Sequence, residues 1–133
     1  MSKLEEVILK HQQSFSPVVP FNPSADKLLL MDFTAANTSL TEETLNYTPA
    51  FCRYVHQQLI HANAKYGIGG YNEHRTIYSR SEVFDTNDEP RRLHLGIDIW
   101  GEAGTGIFVP LGGTIHSFAF NDSYGDYGAT IIL

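Results

Sequence analysis

The chain has 133 residues, 42% of them apolar and 18% charged, with a formal net charge of −6 and a single cysteine. That length suits one domain with its own core, and the composition is too apolar for a disordered tail. The acidic balance argues against nucleic acid or an anionic membrane as a partner, since both are bound by neutralising phosphate charge, and one cysteine excludes an intrachain disulfide.

Residues 1–65 carry helical signals. Ser2-Lys3-Leu4-Glu5 is a capping box, followed by Leu4, Val7, Ile8 and His11 at helical spacing. Ser16-Pro17 ends that helix, and Pro17, Pro20 and Pro23 keep the next stretch extended. Lys27 to Phe33 reads as a short buried strand, and Ser39-Leu40-Thr41-Glu42 caps a brief helix. Thr48, with Pro49 at the first helical position, opens the longest helix. It runs to about Lys65 with Cys52, Val55, Leu59 and Ala62 on its buried face, and Tyr66-Gly67 supplies its stop.

Residues 66–133 switch to period two and glycine turns, with strands expected at Arg75–Ser79, Leu93–Trp100, Gly106–Val109, Thr114–Phe120 and Ala129–Leu133. The fold class that follows is α+β, with N-terminal helices before an antiparallel β-sheet, the two parts forming one globular unit. The final run, Ala129-Thr130-Ile131-Ile132-Leu133, is apolar to its last residue. It reads as an unfinished edge and therefore as a truncated chain.

His94-Leu95-Gly96-Ile97-Asp98 carries the most chemistry. On a strand His94, Gly96 and Asp98 share one face and Leu95, Ile97 and Ile99 the other, which is expected to be buried. A straight strand would hold the two ligand Cα atoms about 13 Å apart, at roughly 3.3 Å per residue. That is too far for both side chains to reach one ion with bonds of about 2.0–2.2 Å. The strand must bend, and Gly96 is where bending costs least. An imidazole with a carboxylate suits zinc, although a zinc site needs three or four protein ligands.

The wider sequence resembles a known family over residues 67–133. After His-x-Gly-x-Asp come a turn with Ala103-Gly104-Thr105, a Val109-Pro110-Leu111-Gly112-Gly113 segment and the glycine-rich Asn121–Gly128 turn before the last strand. This is similar to the start of the catalytic domain of lysostaphin/LytM-type zinc metallopeptidases. It is nearest to the branch fused to class III aminotransferases, in which a Gly-Tyr-x-Glu-x-Arg-x-x-Tyr stretch precedes the motif, as Gly70–Tyr78 does here. The resemblance implies a LytM-type β-sandwich, incomplete at its C-terminus, with zinc on His94, Asp98 and the second His of a later His-x-His. It also implies hydrolysis of peptide bonds, in peptidoglycan-type peptides among others, assisted by further histidines. No His-x-His occurs in these 133 residues, so the family's catalytic histidines are absent. Two functions are expected: a zinc endopeptidase domain that is inactive as this chain stands, or a degenerate, non-catalytic module that binds or regulates.

Four other features bear on function. His116 is either a cleft residue able to act as a third ligand or a hydrogen-bonded structural histidine. Glu73 and Arg75 either line a substrate groove with Tyr71 or pair on one strand face. Cys52 reads as a small buried apolar residue. Met1–Glu6 lack the apolar core of a secretory signal, so a cytoplasmic location is expected, although many members of the family are exported.

Overall fold

A computed structural model describes residues 2–75, 93–123 and 126–133. Helix α1 (Lys3–His11) starts on the expected capping box, with Ser2 Oγ accepting from Glu5 N and Glu5 returning the bond to Ser2 N. It buries no residue. Strand β1 (Leu28–Met31) follows the extended proline segment, then α2 (Glu42–Asn46), capped by the Thr41 hydroxyl, and α3 (Thr48–Ala62). Seven strands in all are described, the others being β2 (Tyr66–Gly69), β3 (Glu73–His74), β4 (Leu93–His94), β5 (Asp98–Trp100), β6 (Ser117–Asn121) and β7 (Gly128–Ile132). The class is α+β.

The central sheet has the order β1-β2-β5. Strands β1 and β2 run parallel, with Leu28 opposite Tyr66 and Met31 opposite Gly69, and β5 runs antiparallel to β2. A parallel pair needs a crossover, which α2 and α3 provide between the two strands. Alternation along β1 sends Leu29 and Met31 inward and leaves Leu28 and Leu30 exposed. Phe33 continues the inward phase. It packs with Met31 and Val55, and Leu29, Leu40, Phe51, Tyr54, Leu59 and Trp100 close around them. Helix α3 thus turns Val55 and Leu59 to the core as expected, but Phe51 occupies the place foreseen for Cys52, which is exposed.

Two expectations for the strands and helix ends are not met. Helix α3 stops at Asn63, whose φ of 49° is the left-handed conformation of a helix C-cap, so Tyr66-Gly67 lies inside β2 and not in a stop. Gly67 and Gly69 face crowded neighbours there: a Cβ on Gly67 would sit 3.0 Å from Met31 Cγ, and one on Gly69 would meet the Arg75 guanidinium and lie 2.8 Å from Trp100. Residues 106–109 form no strand. The segment is tied to the proline stretch by Phe108 N to Val18 O at 2.8 Å, and Ser16 N donates to Pro110 O at 2.9 Å. Pro17 and Pro110 lack the N–H groups that would extend these bonds into a ladder. The predicted strand at Arg75–Ser79 lies outside the described residues beyond Arg75.

Strands β6 and β7 form an antiparallel hairpin, registered from Ser117 opposite Ile132 to Asn121 opposite Gly128. Among the described residues no third strand joins it. No helix among them is long and apolar enough to cross a membrane.

Candidate metal centre

The run Leu93–Trp100 is two strands in two sheets. β4 pairs with β3, placing His94 opposite Glu73, while β5 pairs with β2, placing Asp98 opposite Gly69. The chain leaves one ladder and enters the other across Leu95-Gly96-Ile97. This break brings the two side chains together: His94 Nε2 lies 3.4 Å from Asp98 Oδ1. Gly96 sits beneath the ring, where a Cβ would come within 3.1 Å of His94 Nε2. The same excursion turns Leu95 and Ile97 outward, at 64% and 65% exposure, so the expected buried apolar face does not form here. A continuous strand would have alternated them into a second layer, and no continuous strand exists.

The imidazole is held from behind. His94 Nδ1 is 3.0 Å from the Gly70 carbonyl oxygen, an acceptor only, so Nδ1 carries the proton in this bond and donates it. The histidine backbone is fixed as well, with Asn72 N donating to His94 O at 2.7 Å. A neutral ring in this tautomer presents the lone pair of Nε2 toward Asp98, which is the arrangement that metal-ligating histidines adopt.

Asp98 is held through its other oxygen. Arg75 Nη1 donates to Asp98 Oδ2, while Arg75 Nε donates to Glu73 Oε2 at 2.6 Å. Glu73 Oε1 in turn accepts from Phe33 N at 3.3 Å. The guanidinium is 4% exposed and lies 5.5 Å from the Phe33 ring centre and 5.9 Å from that of Trp100. Its Nη2 is buried with no hydrogen-bond acceptor among the described residues, against the space Gly69 leaves open. Burial works against the charge, but the hydrogen bonds to Asp98 and Glu73 outweigh it and raise the arginine pKa above its ordinary value.

Of the expected site residues, His94 and Asp98 are therefore brought together. His116 lies in the segment before β6, exposed, with Nδ1 3.1 Å from Ser117 Oγ and its backbone N–H bonded to Ile132 O. Among the described residues no group of three or more His, Cys, Asp or Glu side chains could hold a metal. Of the two arrangements open for Glu73 and Arg75, the structure contains the ion pair, and Tyr71 is exposed beside them in sequence. The link from Arg75 to Asp98 and the role of the Gly70 carbonyl were not foreseen. Their one sequence signal is the doublet Gly69-Gly70 beside a Glu-x-Arg.

A polar cleft of about 460 Å³ lies between β1 with its following loop and α3, lined in part by Asp32, Asn37, Ser39 and Tyr54. Its polar groups bond mainly to one another, with Asn37 Nδ2 donating to Asp32 O and Tyr54 Oη. Comparison with protein-family models, curated proteins and solved structures finds no match.

Proposed function

We propose that residues 66–133 are part of a lysostaphin/LytM-type zinc metallopeptidase domain, with His94 and Asp98 as two of the zinc ligands and peptides, peptidoglycan-type among them, as substrates. The observation that carries this reading is the 3.4 Å between His94 Nε2 and Asp98 Oδ1. Two ligands about 2.1 Å from one tetrahedral ion are separated by about 3.4 Å, slightly beyond the usual N–H···O range of about 2.7–3.2 Å, although the same separation also suits an ion pair of a protonated His94 with Asp98. The Gly70 carbonyl supports it by fixing the histidine tautomer, and Arg75 by fixing the carboxylate. Zinc supplies Lewis acidity toward a peptide carbonyl when bound. His94 and Asp98 hold and orient it; a third ligand comes from outside the described residues.

One observation favours the second reading, a non-catalytic relative that binds or regulates: no third ligand joins the pair among the described residues. The readings part over zinc, which the second, a module without working zinc, does not expect the chain to bind; the first gives the following expectation. Calorimetry should show weak zinc binding that is lost in both His94→Ala and Asp98→Ala, with no cleavage of glycine-rich or muropeptide substrates. Zinc binding that survives both substitutions would remove the metal centre. Chelator-sensitive cleavage would place a third ligand within the chain, and His116→Ala would be the first variant to make.

A further inference from the structure

We infer that Arg75 is a positioning residue that makes Asp98 a one-oxygen ligand and thereby selects for a small, low-coordination cation; this rests on the metal centre proposed above. A free carboxylate can offer one oxygen or both to an ion. Here Arg75 Nη1 occupies Oδ2, and only Oδ1 faces His94 Nε2. The guanidinium cannot easily turn aside to release Oδ2. Its Nε is tied to Glu73 Oε2, Glu73 is tied to the backbone of Phe33, and its central carbon lies over the rings of Phe33 and Trp100. Gly69, registered opposite Asp98, leaves the space that lets the arginine come this close.

The chemical consequence is a preference among cations. Four-coordinate zinc and cobalt are satisfied by single oxygens, whereas calcium and other hard ions with six to eight oxygen ligands gain from two-oxygen carboxylates. One guanidinium against two carboxylates also leaves a single negative charge at the centre, which limits attraction for hard dications that bind by charge alone. An arginine fork suits this task and a lysine does not: guanidinium is planar with fixed donor directions, while ammonium is a mobile point charge.

The test is an NMR titration of the whole chain with Co²⁺ and, separately, Mn²⁺, following paramagnetic broadening of the His94 ring and the Gly96 amide. Wild type should bind Co²⁺ more tightly than Mn²⁺. Arg75→Lys should weaken Co²⁺ binding by roughly ten- to a hundred-fold, the usual loss for a group that orients a ligand, and weaken Mn²⁺ binding much less, so that the ratio of the two falls. Glu73→Gln, which loosens Arg75 without touching Asp98, should move the ratio the same way by a smaller factor. It decides the matter if Arg75→Lys fails to fold. An equal fall in both affinities in a variant that keeps its fold would overturn the inference. So would an unchanged ratio in a protein whose Co²⁺ binding still depends on His94. If wild type broadens nothing near His94 with either ion, the metal centre itself is wrong and the inference falls with it.

Discussion

Phe33 and Phe118 carry the same side chain, yet one is 1% exposed and the other 79%. Phe33 extends a strand that has a helix layer over it, and Phe51, Trp100 and the Arg75 guanidinium close its remaining sides. Phe118 sits in the two-stranded β6–β7 sheet, where Phe120, Ile131 and Ile132 are also exposed. Both regions have strand-forming sequence, but among the described residues only the first has a second layer. Apolar strands form ladders wherever a partner strand exists; a core forms only where another element covers the face. The candidate metal centre belongs to the covered region, and its buried arginine depends on that cover.

The sharpest way to break this comparison is to truncate both phenylalanines. Phe33→Ala should cost about 3–5 kcal/mol in chemical denaturation, as buried aromatics do, and Phe118→Ala less than about 0.5 kcal/mol. Comparable losses would mean that the hairpin is packed in solution. Next in size is Arg75→Met, which leaves Glu73 and Asp98 uncompensated near the core. Breaking a buried ion pair from one side costs about 3–5 kcal/mol, and the low end applies because the Asp98 side chain is 37% exposed. A stabilised Arg75→Met protein would show that the cluster is held for function at a cost to the fold. Gly69→Ala tests the space beneath the arginine. Its new methyl would collide with the guanidinium and Trp100, and overpacking of this kind costs about 1–3 kcal/mol. An unchanged melting temperature would indicate that Arg75 can shift without loss.

The smallest effect concerns Lys65, whose Nζ lies 2.7 Å from Asp26 Oδ2 on the surface. The hydrogen bond from Lys65, then the backbone bond to Asn22 N, lowers the Asp26 pKa below 3.8. The bond to Asp26 raises Lys65 above 10.5, against its own desolvation. The carboxylate's contribution is present above its unfolded value and lost as pH falls through the folded one. That of the ammonium is present below its unfolded value and lost as pH rises through the folded one. Lys65→Met should therefore be slightly less stable than wild type at neutral pH, with the gap closing in strong acid and in high salt. A gap that persists in acid would assign the effect to contact between the lysine and Tyr66, which lies 5.6 Å away at its ring centre.

Local signals were the legible part of this sequence. The capping box of α1, the Thr48-Pro49 start of α3 and the apolar run of β1 each depend on neighbours a few residues away. The pairing of His94 with Asp98 was legible because both side chains and the bend between them lie within five residues. β2 was not: Tyr66-Gly67 reads as a helix stop unless Met31 and Trp100 are known to press against the glycines. Arg75 was half legible. Its pairing with Glu73 is local, but the bond to Asp98 spans 23 residues, and no spacing rule reaches that far. Alternation presumes one unbroken ladder, so it does not give the outward turn of Leu95 and Ile97.

The parallel register of β1 and β2 sets an order of events during folding. Leu28 and Tyr66 are neighbours in space and 38 residues apart in the chain, so their pairing is delayed by loop closure, while α3 needs only local contacts. Asp98 pairs with β2 opposite Gly69 across a comparable stretch of chain, so the imidazole and carboxylate are also expected to meet after α3 has formed. Trp100, the single tryptophan, stands two residues beyond Asp98 and packs on Phe33, which makes its fluorescence an intrinsic clock for assembly of the centre. In stopped-flow refolding the helical circular dichroism should recover first and the tryptophan signal after it.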